Sequence, residues 1–166
     1  MGTQGLEIQE AEAFHHKEEV FERFGWAGMT ALIAAGLLGL LGGRGPLTSA
    51  VATTPSHAVT VKYHRFERHT ARTDLTIIAG APAVREGQVV LTLSPEWVDS
   101  TDIQQVTPQP DVWQRGTEGL RLAFTAGPAP VTVEISYRPD GIGPKSGTVT
   151  ENNTGARISF GQFVYP

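Results

Sequence analysis

Few residues in this chain have the type and spacing to do chemistry. They are five histidines, one local run of basic side chains and an Asn-Asn-Thr triplet. His15-His16 offers two metal donors side by side. Neighbours on a helix point about 100° apart, so the pair does not converge on one ion without further ligands. His57, His64 and His69 gather around one predicted strand. His57 and His64 are seven residues apart, which puts them on opposite faces of a strand. They read as scattered, solvent-facing side chains. No serine sits in a GxSxG elbow, and there is no HExxH, P-loop or dinucleotide fingerprint. Zero cysteines exclude disulfides, iron–sulfur clusters, covalent haem attachment and thiol catalysis. Asn152-Asn153-Thr154 matches a glycosylation sequon and reads more simply as a turn. The expectation is a protein with no catalytic residue, no metal site and no cofactor: not an enzyme.

The remaining candidates are surfaces. Lys62, His64, Arg65, Arg68 and Arg72 form a basic stretch interleaved with Tyr63 and Phe66. Arg65 and Arg68 could meet an acidic partner or lipid headgroups, or line a solvated strand face. Trp97, Trp113, Phe160, Phe163 and Tyr165 lie at or near strand ends. Trp97 and Trp113 are candidate interface residues because tryptophan buries a large area while keeping a polar handle. Core packing is the competing explanation. The net charge is −4, and a nucleic-acid partner needs a clustered basic surface, so none is expected.

The elements that must position these residues begin with the most informative stretch. Phe24 to Gly43 reads FGWAGMTALIAAGLLGLLGG, twenty residues without a charge. At about 1.5 Å per residue a helix of that length crosses the hydrocarbon of a bilayer, roughly 30 Å thick. The preceding leader is acidic and too long for a secretory signal peptide, which favours an uncleaved signal-anchor. Lys17 and Arg23 stand before the helix and Arg44 after it. That count, with the signal-anchor layout, puts the N-terminus in the cytoplasm and the later domain in the periplasm of a bacterial inner membrane. Ala27, Ala31, Ala35, Gly39 and Gly43 step by fours along one side. Such a small-residue row admits close approach of a second helix, either a copy or another protein. In the leader, Phe14 and Phe21 join the apolar side of a predicted helix over Leu6–Arg23, opposite a glutamate-rich side. An interfacial membrane helix normally carries Lys and Arg, so this apolar side fits protein better than lipid.

Gly42-Gly43-Arg44-Gly45-Pro46 is a helix stop. Residues 44–56 read as a linker, and 57–166 as one domain with its own core. Short alternating runs predict about eight strands. They lie around Val59–Tyr63, Leu75–Ala79, Val89–Leu93, Ile103–Val106, Leu120–Phe124, Val131–Tyr137, Gly147–Thr150 and Arg157–Phe163. Gly80-Ala81-Pro82, Glu86-Gly87, Gly127-Pro128 and Pro139-Asp140-Gly141 punctuate them. Ser94-Pro95-Glu96-Trp97 has a capping serine and a proline at the first helical position, so one helical turn is expected. The predicted fold is an all-β extracytoplasmic domain, an antiparallel immunoglobulin-like sandwich, on a single N-terminal transmembrane helix.

Three stretches carry a resemblance. They are Leu37 to Leu47 at the membrane exit, Val61 to Arg68 leading to Thr73-Asp74-Leu75, and Gln104 to Pro110 taken with Phe160 to Pro166. Together they resemble a group of small uncharacterised bacterial single-pass membrane proteins with a C-terminal periplasmic β-domain. The resemblance covers most of the chain after Trp26, adds architecture, and brings no catalytic residue with it. The acidic leader, residues 1–23, falls outside it. The functional expectation is a non-catalytic accessory subunit of a larger inner-membrane complex, of the respiratory or photosynthetic kind. Its partners would be other integral membrane subunits and the lipid bilayer. The alternative is a membrane-tethered periplasmic binding or sensing domain.

Overall fold

Helix α1 runs without interruption from Leu6 to Leu37 in the computed structural model, which describes residues 6–38, 47–127 and 130–166, with side chains from Glu22 onward. The leader and the start of the apolar run are therefore one helix of about 48 Å. Both are rich in strong helix formers, Glu and Ala first and Ala and Leu later, so nothing local breaks the helix between them. Phe24, Trp26, Leu32, Ile33 and Leu37 are all exposed along it. Among the described residues no helix is long and apolar enough to cross a membrane. The last part of the apolar run, with Gly39 and Gly43 and the expected helix stop, lies outside the described residues.

Eleven strands follow among the described residues: β1 (Ser49–Thr53), β2 (Val59–His64), β3 (Phe66–Arg68), β4 (Thr73–Ala79), β5 (Gln88–Leu93), β6 (Thr101–Thr107), β7 (Val112–Gly116), β8 (Gly119–Thr125), β9 (Val131–Pro139), β10 (Gly143–Glu151) and β11 (Arg157–Tyr165). One sheet has the order β1-β2-β4-β9-β6 and the other β3-β11-β10-β5-β8-β7. The domain is all-β, and every expected strand is present. Three more were not expected. β1 occupies the stretch read as linker, where Ser-Ala-Val-Ala-Thr has too few large apolar residues to announce itself; it pairs with β2 and buries Ala50. β3 is only three residues long, and β7 is an exposed edge. Pairing is antiparallel with one correction: β3 runs parallel to β11. The chain leaves β2 at Arg65 and enters the second sheet in the same direction as β11.

The two sheets share one core. Val59, Val61, Leu75, Ile77, Val133 and Ile135 come from the first; Val89, Leu91, Leu93, Leu122, Phe124 and Val149 from the second. Period-2 alternation aims these side chains inward and the polar residues between them outward. Helix α2 (Pro95–Asp99) adds Trp97 and Val98 to this core. The helical turn and its leading proline are as expected. The serine's role is not: the Ser94 hydroxyl makes no cap bond and instead accepts the Thr148 N–H at 3.1 Å. Glu86-Gly87 forms the expected tight turn, both residues at positive φ, closed by reciprocal Arg85 and Gln88 backbone bonds. Gly119 must be glycine: a Cβ there would lie 1.9 Å from the Leu93 carbonyl oxygen.

A fragment beginning at Leu47 should fold alone, giving a β-type circular dichroism spectrum and a cooperative melt indifferent to chelator and reductant. A fragment beginning at Thr54 loses β1 and uncovers the β2 edge, so its melting temperature should be lower by several degrees. Equal melting temperatures would make β1 an ornament.

Candidate functional site

The most unusual chemistry in the domain is a buried carboxylate. β3 is too short to bury a large apolar face, and its middle residue, Glu67, points inward with 4% exposure. Its Oε1 accepts three hydrogen bonds: from the Tyr137 hydroxyl at 2.6 Å, Gln162 Nε2 at 2.7 Å and the Thr73 hydroxyl at 3.2 Å. Gln162 Nε2 also lies 2.7 Å from the Tyr137 oxygen and 3.1 Å from the His64 carbonyl. Gln162 Oε1 accepts the Trp97 Nε1–H at 3.0 Å. Thus β2, β3, β4, β9, β11 and α2 all meet at one polar knot. The Trp97 ring stands edge-on to Tyr137 at 4.8 Å and to Phe160 at 5.9 Å, sealing one side.

Burial dominates the electrostatics. Loss of solvent raises the Glu67 carboxyl from its ordinary 4.5 to about 7, against the opposing pull of its three hydrogen bonds. Tyr137 is pushed well above its ordinary value, first by burial and then by the neighbouring Glu67 charge, so its hydroxyl stays a donor. Among the described residues, Glu67 Oε2 is buried without a partner, as are the Nδ1 atoms of His64 and His69. Those residues do not form a metal cage: among the described residues no group of three His, Cys, Asp or Glu is placed to hold an ion. The knot also lines none of three open depressions formed by described residues. It is suited to holding a proton and fixing the strands around it.

The surface candidates separate clearly. Arg65 and Arg68 are exposed and make no ion pair with a described residue. Trp113 is 51% exposed on the edge strand β7. Trp97 is corrected: it is fully buried, so it is a core residue and cannot meet a partner. Phe160 is core too, whereas Phe163 is 45% exposed. On α1, Ala27 and Ala31 are exposed and Ala35 is half-buried, on one helix as expected. The side chains of Phe14 and Phe21 lie outside the described residues, although their backbone is in α1. The Asn-Asn-Thr triplet is a turn wound around the buried Glu151 carboxylate, which accepts the Asn153 and Thr154 N–H groups. Sequence reasoning missed Glu67, Tyr137 and Gln162. Glu67 hides inside a basic run, and only the pairing of β3 with β11 shows that it faces inward. No protein-family model matches the chain, and no curated protein matches it.

The knot makes a signed prediction. Folded Glu67 holds its proton more tightly than the unfolded chain does, so its contribution to stability is complete below about pH 4.5 and lost as pH rises through about 7. That loss is roughly 2–4 kcal/mol. Glu67→Gln keeps the neutral form at every pH. In urea melts the variant should therefore gain on the wild type by about that amount between pH 4.5 and pH 8. A difference that does not change with pH would refute the proton-holding role. Tyr137→Phe should cost about 1–3 kcal/mol at pH 5 by removing the hydroxyl donor.

Proposed function

We propose that this chain is a non-catalytic accessory subunit that stabilises a larger bacterial inner-membrane assembly, of the respiratory or photosynthetic kind. One observation carries the reading. Helix α1 presents Phe24, Trp26, Met29, Leu32, Ile33 and Leu37 at 53–76% exposure, with the β-domain covering none of them. Such a surface is not stable in water and calls for lipid or protein. The uncharged run to Gly43 supports membrane insertion of this segment, and the resemblance to single-pass membrane proteins points the same way. Ala27, Ala31 and Ala35 continue with Gly39 and Gly43 as a side for helix packing against other integral subunits. The acidic leader would grip the assembly from the cytoplasm. The all-β domain, read as an immunoglobulin-like sandwich, would hold it from the periplasm. A tethered binding or sensing domain is less well supported, because three depressions lined by described residues are open and have no aromatic lining.

Purification of the tagged chain in mild detergent should bring down stoichiometric membrane partners. Ala35→Leu or Gly39→Leu should lower that yield about ten-fold, corresponding to some 1.4 kcal/mol of lost packing. Wild-type yield from both variants would show that the small-residue row does not hold the partners, and a lone monomer would favour the tethered-domain reading.

Topology is tested separately in cells with a permeabilised outer membrane. Because the chain has no cysteine, a single one at Asp140 or at Gln4 reports without background. A membrane-impermeant maleimide should label the first and not the second. The reverse pattern would overturn both the orientation and the two-sided grip.

A further inference from the structure

The chain's charge is unevenly placed. Residues 1–23 hold six carboxylates and two basic side chains, so the whole net charge of −4 belongs to the leader, and the remaining chain is balanced. At one end of the β-domain, Arg65 and Arg68 stand beside exposed apolar side chains. It is the end where the chain arrives from α1.

Backbone bonds define that end. The Thr48 carbonyl accepts the Arg65 N–H at 2.7 Å, and the Arg65 carbonyl accepts the Phe163 N–H at 2.7 Å. The His69 N–H reaches the Tyr165 carbonyl at 2.8 Å, and the Thr70 N–H reaches the Pro139 carbonyl at 3.1 Å. Arg65, Arg68, Ile142 and Phe163 are thereby drawn around the arrival point. Arg68, His69 and Ile142 line an open depression of about 460 Å³ there. Ile142 is 59% exposed, Phe163 45% and Leu47 43%. Asp140 lies on the same turn as Ile142, but the Lys145 ammonium sits close by: a Cβ on Gly141 would be 3.1 Å from it.

The tether decides what this end meets. Five peptide steps separate Gly43 from Thr48, and an extended chain covers at most about 3.6 Å per residue. Thr48 therefore lies within about 18 Å of the end of the apolar run, and the headgroup layer beyond the hydrocarbon is itself roughly 5–8 Å deep. We infer that this end of the β-domain, with Arg65 and Arg68 beside exposed Ile142 and Phe163, docks on the anionic phospholipid headgroups of the membrane that anchors the chain. The inference rests on the anchored reading of residues 24–43. Guanidinium groups pair with phosphate in a forked geometry, and apolar side chains beside them enter the headgroup–acyl boundary. A protein partner would need to slip into the same narrow gap.

The test uses the full chain in nanodiscs of phosphatidylcholine, with or without phosphatidylglycerol. An environment-sensitive fluorophore is attached through Ile142→Cys or, at the opposite end of the domain, Glu86→Cys. The two ends are roughly 25–30 Å apart along β10. With a nitroxide quencher on the lipid headgroup, the Ile142 site should be quenched at least three-fold more strongly than the Glu86 site. The excess should grow with phosphatidylglycerol and fall at least two-fold with Arg65→Glu/Arg68→Glu. Raising the salt on the chain with native Arg65 and Arg68 should also lower it, a measurement that does not depend on the double variant folding. Equal quenching at the two sites in chains that co-elute with the discs overturns the inference and leaves the anchor standing. So does an Ile142 signal indifferent to lipid charge, salt and charge reversal, which would turn this end towards protein instead. Failure to co-elute with the discs overturns the anchored reading, and the inference falls with it.

Discussion

A carboxylate cannot be taken out of water without partners, and much of the domain's arrangement follows from how Glu67 is accommodated. Its Oε1 gathers donors from β4, β9 and β11, and Gln162 extends the knot to α2 through Trp97. Each donor arrives on a different strand, so the bonds form only when both sheets are in register. A buried polar group of this kind adds little net stability but penalises alternatives strongly, because a slipped strand would leave it unpaired. β3 needs that specificity more than the other strands do. With three residues it has almost no apolar area of its own, and its parallel pairing with β11 is not enforced by a hairpin. The raised Glu67 pKa is the electrostatic trace of the same compromise, since a neutral acid costs less to bury than an ion.

Helix α1 poses the opposite problem. The domain packs one apolar core, while the helix displays its apolar side chains. The leader also carries the net negative charge of −4, whereas the chain after it is balanced. Under the accessory-subunit reading this asymmetry is functional. An acidic leader is repelled by anionic headgroups and left free for protein, whereas the domain end beside the tether is basic and suited to lying on them.

How much of this was legible in the residues depended on whether a signal was local. Strands such as Val131–Tyr137 and Leu120–Phe124 declare themselves by alternation, and Glu86-Gly87 by turn chemistry, because nearest neighbours settle both. β1 was hidden because it is stabilised by pairing with β2 and not by its own composition. The two tryptophans show the same limit. Trp97 and Trp113 have equal claims on an interface as residue types, yet one is fully buried and the other half-exposed. What separates them is long-range: Gln162, sixty-five residues away, takes the Trp97 N–H, while among the described residues no strand lies beyond β7 to cover Trp113. The Glu67 knot was illegible for that reason. Its members are spread from residue 67 to residue 162, and nothing in their local patterns links them.

β3 links the buried knot to the basic end of the domain. Alternation along a strand sends Glu67 into the core and leaves Phe66 and Arg68 on the other face. The knot that holds Glu67 therefore also sets where Arg68 stands, and the parallel register that seats Phe66 beside Phe163 places an aromatic pair on that same face. A buried acid and an exposed base one residue apart are thus two consequences of one strand placement. If the membrane-facing role of the basic end is right, its geometry depends on a proton-holding group that never touches the membrane. Weakening the knot would then loosen the docking surface without altering any residue on it, because a three-residue strand has little besides its backbone bonds to β11 to keep its register.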